Sequence, residues 1–146
     1  MIFWDSSAIV PLTVAEAGSD AVRVVLRDDP DMVVWWGTPV EVLSALARSE
    51  RAHALDPADV DLARRTLSDL QDGWNEVVAS EEVRERATAA VLRHPLRAAD
   101  ALQLGAALTW ARGQPRDHRV FSLDTRLASA ARQEGFDVLV LPHDRR

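Results

Sequence analysis

The chain of 146 residues contains no cysteine, no tyrosine and no lysine, so all 17 of its basic residues are arginine. The lack of cysteine excludes disulfide frameworks, thiol nucleophiles and thiolate zinc sites. The lack of lysine excludes the P-loop, Schiff-base chemistry and phosphoryl transfers that hold phosphate with an ammonium group. Apolar runs are short, well below the roughly 20 residues that a membrane-spanning helix needs. Met1-Ile2-Phe3-Trp4-Asp5 carries no basic segment and reaches an acid at once, unlike a secretory signal. These absences lead to the expectation of a cytoplasmic protein with no membrane partner.

Linkers rich in Gly, Ser or Pro are also missing and no long period repeats, which predicts a single domain over residues 1–146. With 47% apolar residues, a chain of this length can bury roughly 68–70% of its unfolded surface. It therefore needs no covalent or metal staple. Short apolar runs at 2–4, 32–36, 76–79, 120–123 and 138–141 read as strands buried on both faces. Between them, helical periodicity covers 7–26 in one or two pieces, then 38–54, 57–72, 80–93, 96–111 and 125–134. Strands alternating with helices predict an α/β fold with a central, mostly parallel five-stranded sheet flanked by helices. The helix pairs at 38–72 and 80–111 exceed what a plain crossover needs and are expected to form an arm or lid beside the sheet. Thr38-Pro39-Val40-Glu41 has the form of a capping box, Asp56-Pro57 repeats the cap, Pro95 separates two helices, and Gly135 stops the last one.

Acids that interrupt an apolar pattern are the informative ones. Asp100 lies in Leu96-Arg97-Ala98-Ala99-Asp100-Ala101-Leu102-Gln103-Leu104, where helical spacing sets it beside Leu96, Leu104 and Ala107. A carboxylate there is costly unless a cation, a hydrogen-bond network or an open cleft receives it. Asp5 follows the first predicted strand and Asp124 the fourth, at the carboxyl ends where open parallel sheets bind ligands. Either is equally a helix N-cap. Glu41 has a capping role available, yet its helix also starts at that edge. Carboxylates about 5 Å apart at an effective dielectric of about 20 repel by roughly 3 kcal/mol per pair. Such a group must take up protons or attract divalent cations, and an oxygen-only donor set favours hard ions such as Mg²⁺ or Mn²⁺ and phosphate ester substrates.

Trp4-Asp5-Ser6-Ser7-Ala8, Glu41 at a helix start, Leu96-Arg97-Ala98-Ala99-Asp100-Ala101 and Phe121-Ser122-Leu123-Asp124-Thr125-Arg126-Leu127 together resemble the PIN domain, in particular VapC-type toxins, over the whole chain. The resemblance implies a PIN-like fold and a metal-dependent endoribonuclease. Asp5, Glu41, Asp100 and Asp124 would be the Mg²⁺ or Mn²⁺ quartet, with Asp117 as the other candidate for the fourth acid. Ser6, Ser7 and Ser122 would be supporting hydroxyls that orient a carboxylate or a water. The implied reaction is in-line hydrolysis of single-stranded or loop RNA, and the implied partners are a VapB-type antitoxin and a second copy in a homodimer. The alternative is a non-catalytic PIN-like module that binds protein or RNA.

A net charge of -6 is unusual for an RNA-binding chain. Arg97 with the loop Arg112-Gly113-Gln114-Pro115-Arg116-Asp117-His118-Arg119 is expected to supply a basic rim through Arg97, Arg112, Arg116 and Arg119. His53, His94, His118 and His143 lack zinc-site spacing and are read as surface residues. Asp28-Asp29-Pro30-Asp31 reads as a solvated turn. Trp35 and Trp36 alternate in a strand and are expected to pack under helices, and Trp74 and Trp110 to make core or dimer contacts.

Overall fold

The computed structural model describes residues 1–141; His143 lies outside the described residues. Five strands, β1 (Ile2–Trp4), β2 (Met32–Trp35), β3 (Asn75–Val77), β4 (Arg119–Phe121) and β5 (Asp137–Leu139), form one sheet in the order β3-β2-β1-β4-β5. Every neighbouring pair is parallel. The seven helices are α1 (Ser6–Thr13), α2 (Ser19–Asp28), α3 (Thr38–Arg51), α4 (Pro57–Gly73), α5 (Glu81–Arg93), α6 (Ala98–Trp110) and α7 (Thr125–Glu134), and a 3₁₀ turn at Pro115–Asp117 precedes β4.

The central strands read as uninterrupted apolar runs because both of their faces are covered. Alternation sends Phe3, Val33, Val120 and Val138 to one face, under α5, α6 and α7. It sends Ile2, Trp4, Val34 and Phe121 to the other, against α1, α3 and α4. Trp4 meets Phe121 edge-on, ring centroids 4.9 Å apart. The expected arm or lid is not present as such: α5 and α6 pack along each other and bury Ala87, Ala101 and Leu104 against the sheet as its covering layer. The edge strand β3 sits one residue earlier than its apolar run indicates and is largely exposed. Its register is set by pairing Asn75, Glu76 and Val77 with Val33, Val34 and Trp35.

Two helix ends follow the sequence closely. At α4, Asp56 accepts from the Asp59 amide at 2.9 Å while Asp59 accepts from the Asp56 amide at 3.1 Å, a complete capping box with Pro57 in the first turn. Asp56→Ala is expected to lower stability by about 1 kcal/mol in thermal denaturation. After α7, Gly135 adopts φ 109°, a left-handed stop that a side chain would strain. At α3 the expected box does not form. Gly37 is the cap residue, so Thr38 falls inside the helix, fully buried, with its hydroxyl turned to α6.

Trp35 is buried and Trp36 is 59% exposed, because the strand ends between them and Trp36 passes beyond the helices meant to cover it. Trp74 is buried in the core, and Trp110 packs on Phe3 and His118. His94 is not a surface residue: it is buried and its Nε2 lies 2.8 Å from Glu134, whose same oxygen accepts from Arg93 at 2.7 Å. Within the described residues, no helix is long and apolar enough to cross a membrane.

Candidate functional site

The chain starts in the middle of the sheet, winds outward through β2 and β3, and returns by α5 and α6 to build β4 and β5 on the other side. The direction of winding reverses between β1 and β4, so the loops leaving these two strands part there and open a crevice at their carboxyl ends. Asp5 leaves β1 at that point, and Ser122 and Asp124 leave β4. The amino ends of α3 and α6 bring Glu41 and Asp100 to the same place. Asp5, Glu41, Asp100 and Asp124 all line one cleft of about 740 Å³, together with Ser6 and Ser7. Asp117 lies in the 3₁₀ turn before β4, at the opposite end of the strand, so Asp124 is the acid that reaches the cleft.

Asp5 is only 3% exposed. Its Oδ2 accepts from the Ser7 hydroxyl, from the Ser7 amide at 3.3 Å and from Ser122 Oγ at 2.9 Å. Its Oδ1 has only Ser6 Oγ at 3.4 Å, and so keeps capacity for a further partner. The Ser7 hydroxyl also accepts from the backbone amides of Leu123 at 2.9 Å and Asp124 at 3.2 Å, and Ser122 Oγ accepts from the Asp124 amide at 3.1 Å. These two serines thus fasten the first acid to the loop carrying the last. Ser6 contributes a weaker contact from the cleft side. Asp124 both caps α7, accepting from the Leu127 amide at 2.9 Å, and lines the cleft, so the two roles expected as alternatives coexist.

Glu41 is not spent on capping its own helix. Its Oε2 accepts from Gln103 Nε2, which also donates to Thr38 Oγ1 at 3.1 Å. Gln103 is 1% exposed and its Oε1 has no partner. Gln103 was not among the residues expected at the site. Its one signal is an amide in the apolar run Leu102-Gln103-Leu104, one turn after Asp100.

Burial pushes the Asp5 carboxyl above its ordinary value, against the lowering effect of the Ser7 and Ser122 hydrogen bonds and with a contribution from Asp124. Burial raises Glu41 to about 7, with the Gln103 hydrogen bond opposing and Asp5 and Asp100 adding repulsion. Asp100 is raised by burial, then by Asp124 and Asp5, with Arg97 opposing. A group whose folded value is raised stabilises the fold below its unfolded value and loses that contribution as pH climbs through the folded one. In EDTA, stability is therefore expected to fall between pH 4.5 and about 7 on account of Glu41. The slope should flatten in Glu41→Gln, measured by thermal denaturation across this range. Asp29 and Glu134, whose values are lowered, contribute below that window.

The donor set is all oxygen, and among the described residues no cation lies within ion-pair distance of the four acids. The same residues do not close into a ready-made metal cage of three or more ligands. An open set of carboxylates that repel one another suits a hard ion that keeps most of its shell as water.

The expected basic rim divides. Arg97, the residue before α6, lines the cleft. Arg112, Arg116 and Arg119 do not, because the first two precede β4 and the third opens it, and the strand's length separates them from its carboxyl end. Arg119 instead pairs with Asp29 at 2.6 Å, next to the amino terminus of the chain. Two arginines that were not anticipated, Arg48 of α3 and Arg126 of α7, do line the cleft.

No family model matches this chain, and no curated protein matches its sequence. Solved structures do match its fold. The crystal structure of FitAcB from Neisseria gonorrhoeae aligns over 96% of this chain and 97% of that one, with a TM-score of 0.66 and 16% identity. A toxin-antitoxin complex from Klebsiella pneumoniae aligns over 86% of this chain and 88% of that one, with a TM-score of 0.60 and 19% identity. At such identities the likeness is one of fold, and it agrees with the PIN-like α/β architecture expected from the residues.

Proposed function

With a PIN-like fold as the scaffold, we propose that this protein is a cytoplasmic, metal-dependent endoribonuclease of the VapC toxin type. In this reading it acts as a homodimer and is held inactive by a VapB-type antitoxin. The observation that carries the reading is the convergence of Asp5, Glu41, Asp100 and Asp124, from four separate elements, on one cleft at the point where the sheet reverses its winding. Four carboxylates on one cleft, three of them with values raised by burial and mutual repulsion, are a costly arrangement for a fold alone. The fold likeness to a toxin-antitoxin complex supports the toxin role and the antitoxin partner.

These acids would hold Mg²⁺ or Mn²⁺, which when bound would supply Lewis-acid polarisation of a phosphodiester and a water nucleophile at neutral pH. The residues do the positioning. Asp5 is immobilised through Oδ2 and keeps Oδ1 for the ion. Asp100, in the first turn of α6, would be the other principal ligand, while Glu41, steadied by Gln103, and Asp124 would complete the site or orient water. Ser7 and Ser122 keep the two sides of the cleft in register and act through the carboxylate they hold.

Cleavage of single-stranded RNA with Mg²⁺ or Mn²⁺ by wild type and by Asp100→Asn tests this. EDTA-sensitive cleavage lost in the variant is the expected result, and equal cleavage by both proteins overturns it. The absence of a ready-made ligand cage among the described residues favours one other reading, a PIN-like module that binds RNA or protein without cutting. Metal-independent RNA binding with no cleavage by wild type would establish that module instead.

A further inference from the structure

Alongside the four acids, the cleft is lined by Arg48, Arg97 and Arg126, and among the described residues none of these three arginines is in an ion pair. Elsewhere on the surface Arg23, Arg84, Arg86, Arg93 and Arg119 all pair with carboxylates within 3.0 Å. Arg51, Arg64, Arg65, Arg112, Arg116 and Arg132 are likewise in no ion pair among the described residues, and what sets the cleft's three apart is that they border its four acids. Each belongs to an element that also contributes an acid. Arg48 lies on the face of α3 that presents Glu41 and Ser44, Arg97 precedes Asp100 by three residues, and Arg126 follows Asp124 by two. Depth separates the two charges: Asp5 is buried and the other three acids are half-buried, whereas all three arginines are exposed. The result is an acidic floor inside a cationic lip.

A small lone anion gains little in such a place, because the floor repels what the lip attracts. A phosphodiester strand satisfies both. One phosphate meets the floor through a divalent cation, and its neighbours along the strand meet guanidinium groups, whose planar donors suit phosphate oxygens. We infer that Arg48, Arg97 and Arg126 form a phosphate-binding lip that grips the phosphates on either side of the one presented to the acids. The cleft then takes the interior of a single-stranded phosphodiester chain, not its end or a dinucleotide. This rests on the nuclease reading for the identity of the central phosphate. The net charge of -6 is no obstacle, because what matters is the distribution of charge at the cleft.

The test is equilibrium binding, by fluorescence anisotropy, of a labelled eight-residue oligodeoxythymidylate and of the corresponding dinucleotide. It is run with Mg²⁺ over a series of salt concentrations, and gels verify that the probe stays intact. Arg48→Ala and Arg126→Ala should each reduce the slope of log K against log salt by about 0.7 and weaken binding about fivefold at 0.1 M salt. The dinucleotide should show no difference, and Arg112→Ala and Arg116→Ala, on the other end of the sheet, should match wild type. Unchanged slopes for Arg48→Ala and Arg126→Ala overturn the lip, as does an equal loss in the two control variants. Because the readout is binding, the two ideas separate. Lip-dependent binding without RNA cleavage by wild type removes the nuclease and keeps the lip, and cleavage with unchanged slopes does the reverse.

Discussion

Asp5→Asn is expected to lower Mg²⁺- or Mn²⁺-supported RNA cleavage by at least about 100-fold, since even the loss of a group that only orients a metal ligand costs about 10–100-fold. The same variant, in EDTA at pH 7.5, should unfold at a higher temperature than wild type. The two effects have one cause. Asp5 is almost wholly buried, and burial pushes its carboxyl up, so a negative charge there is unfavourable to the fold. Asparagine keeps an oxygen for the donors of Ser7 and Ser122 and removes the charge. A carboxyl retained where its charge opposes the fold is what a binding site requires. Cleavage at wild-type rates by Asp5→Asn would sink the assignment. A lower melting temperature with cleavage lost would mean that Asp5 is principally a structural cap.

Gly105→Val is the substitution expected to damage the fold most, by about 3 kcal/mol or more, with Gly105→Ala costing about 1–3 kcal/mol in urea denaturation. A Cβ at position 105 would stand 2.8 Å from the backbone nitrogen of Ala87 and 2.8 Å from the carbonyl oxygen of Val83. Both are main-chain atoms of α5, which cannot swing aside as a side chain does. The helix α5 would have to lift, and with it the buried contacts of Val83, Ala87 and Ala90 against α6 and the sheet. Because α6 carries Asp100 and Gln103, Gly105→Ala should also reduce cleavage. Wild-type stability in Gly105→Ala would show that the two helices stand further apart than described.

Much of this architecture was legible in the sequence because the relevant forces are local. Ile2-Phe3-Trp4 and Met32 to Trp36 read as strands since both faces are buried, the second ending at Trp35, and Asp56-Pro57 and Gly135 mark helix ends by backbone hydrogen bonding. Asp5, Asp100 and Asp124 stood out as acids placed against an apolar pattern or at strand ends. What was not legible depends on direction and on depth. The loop from Arg112 to Arg119 is close in sequence to Asp124, yet a parallel strand carries the chain from one edge of the sheet to the other between them. Arg48 and Arg126 look like any solvated arginine until α3 and α7 are set beside the same crevice. Thr38 and Glu41 matched a capping box letter for letter, but the cap position falls on Gly37, and both side chains turn to Gln103 on α6. Only the packing of one helix against another reveals that preference.

The serine fastening at the crevice also bears on when the protein can act. Ser122 reaches Asp5 across 117 positions of sequence, and the amides that anchor Ser7 belong to Leu123 and Asp124. A nascent chain still short of residue 124 lacks one wall of the crevice, the innermost strand neighbour of β1 on that side, or both. Partial translation products and proteolytic fragments that stop earlier therefore lack the assembled crevice. Two pieces divided within the 112–118 loop should each be inert and regain the crevice when mixed.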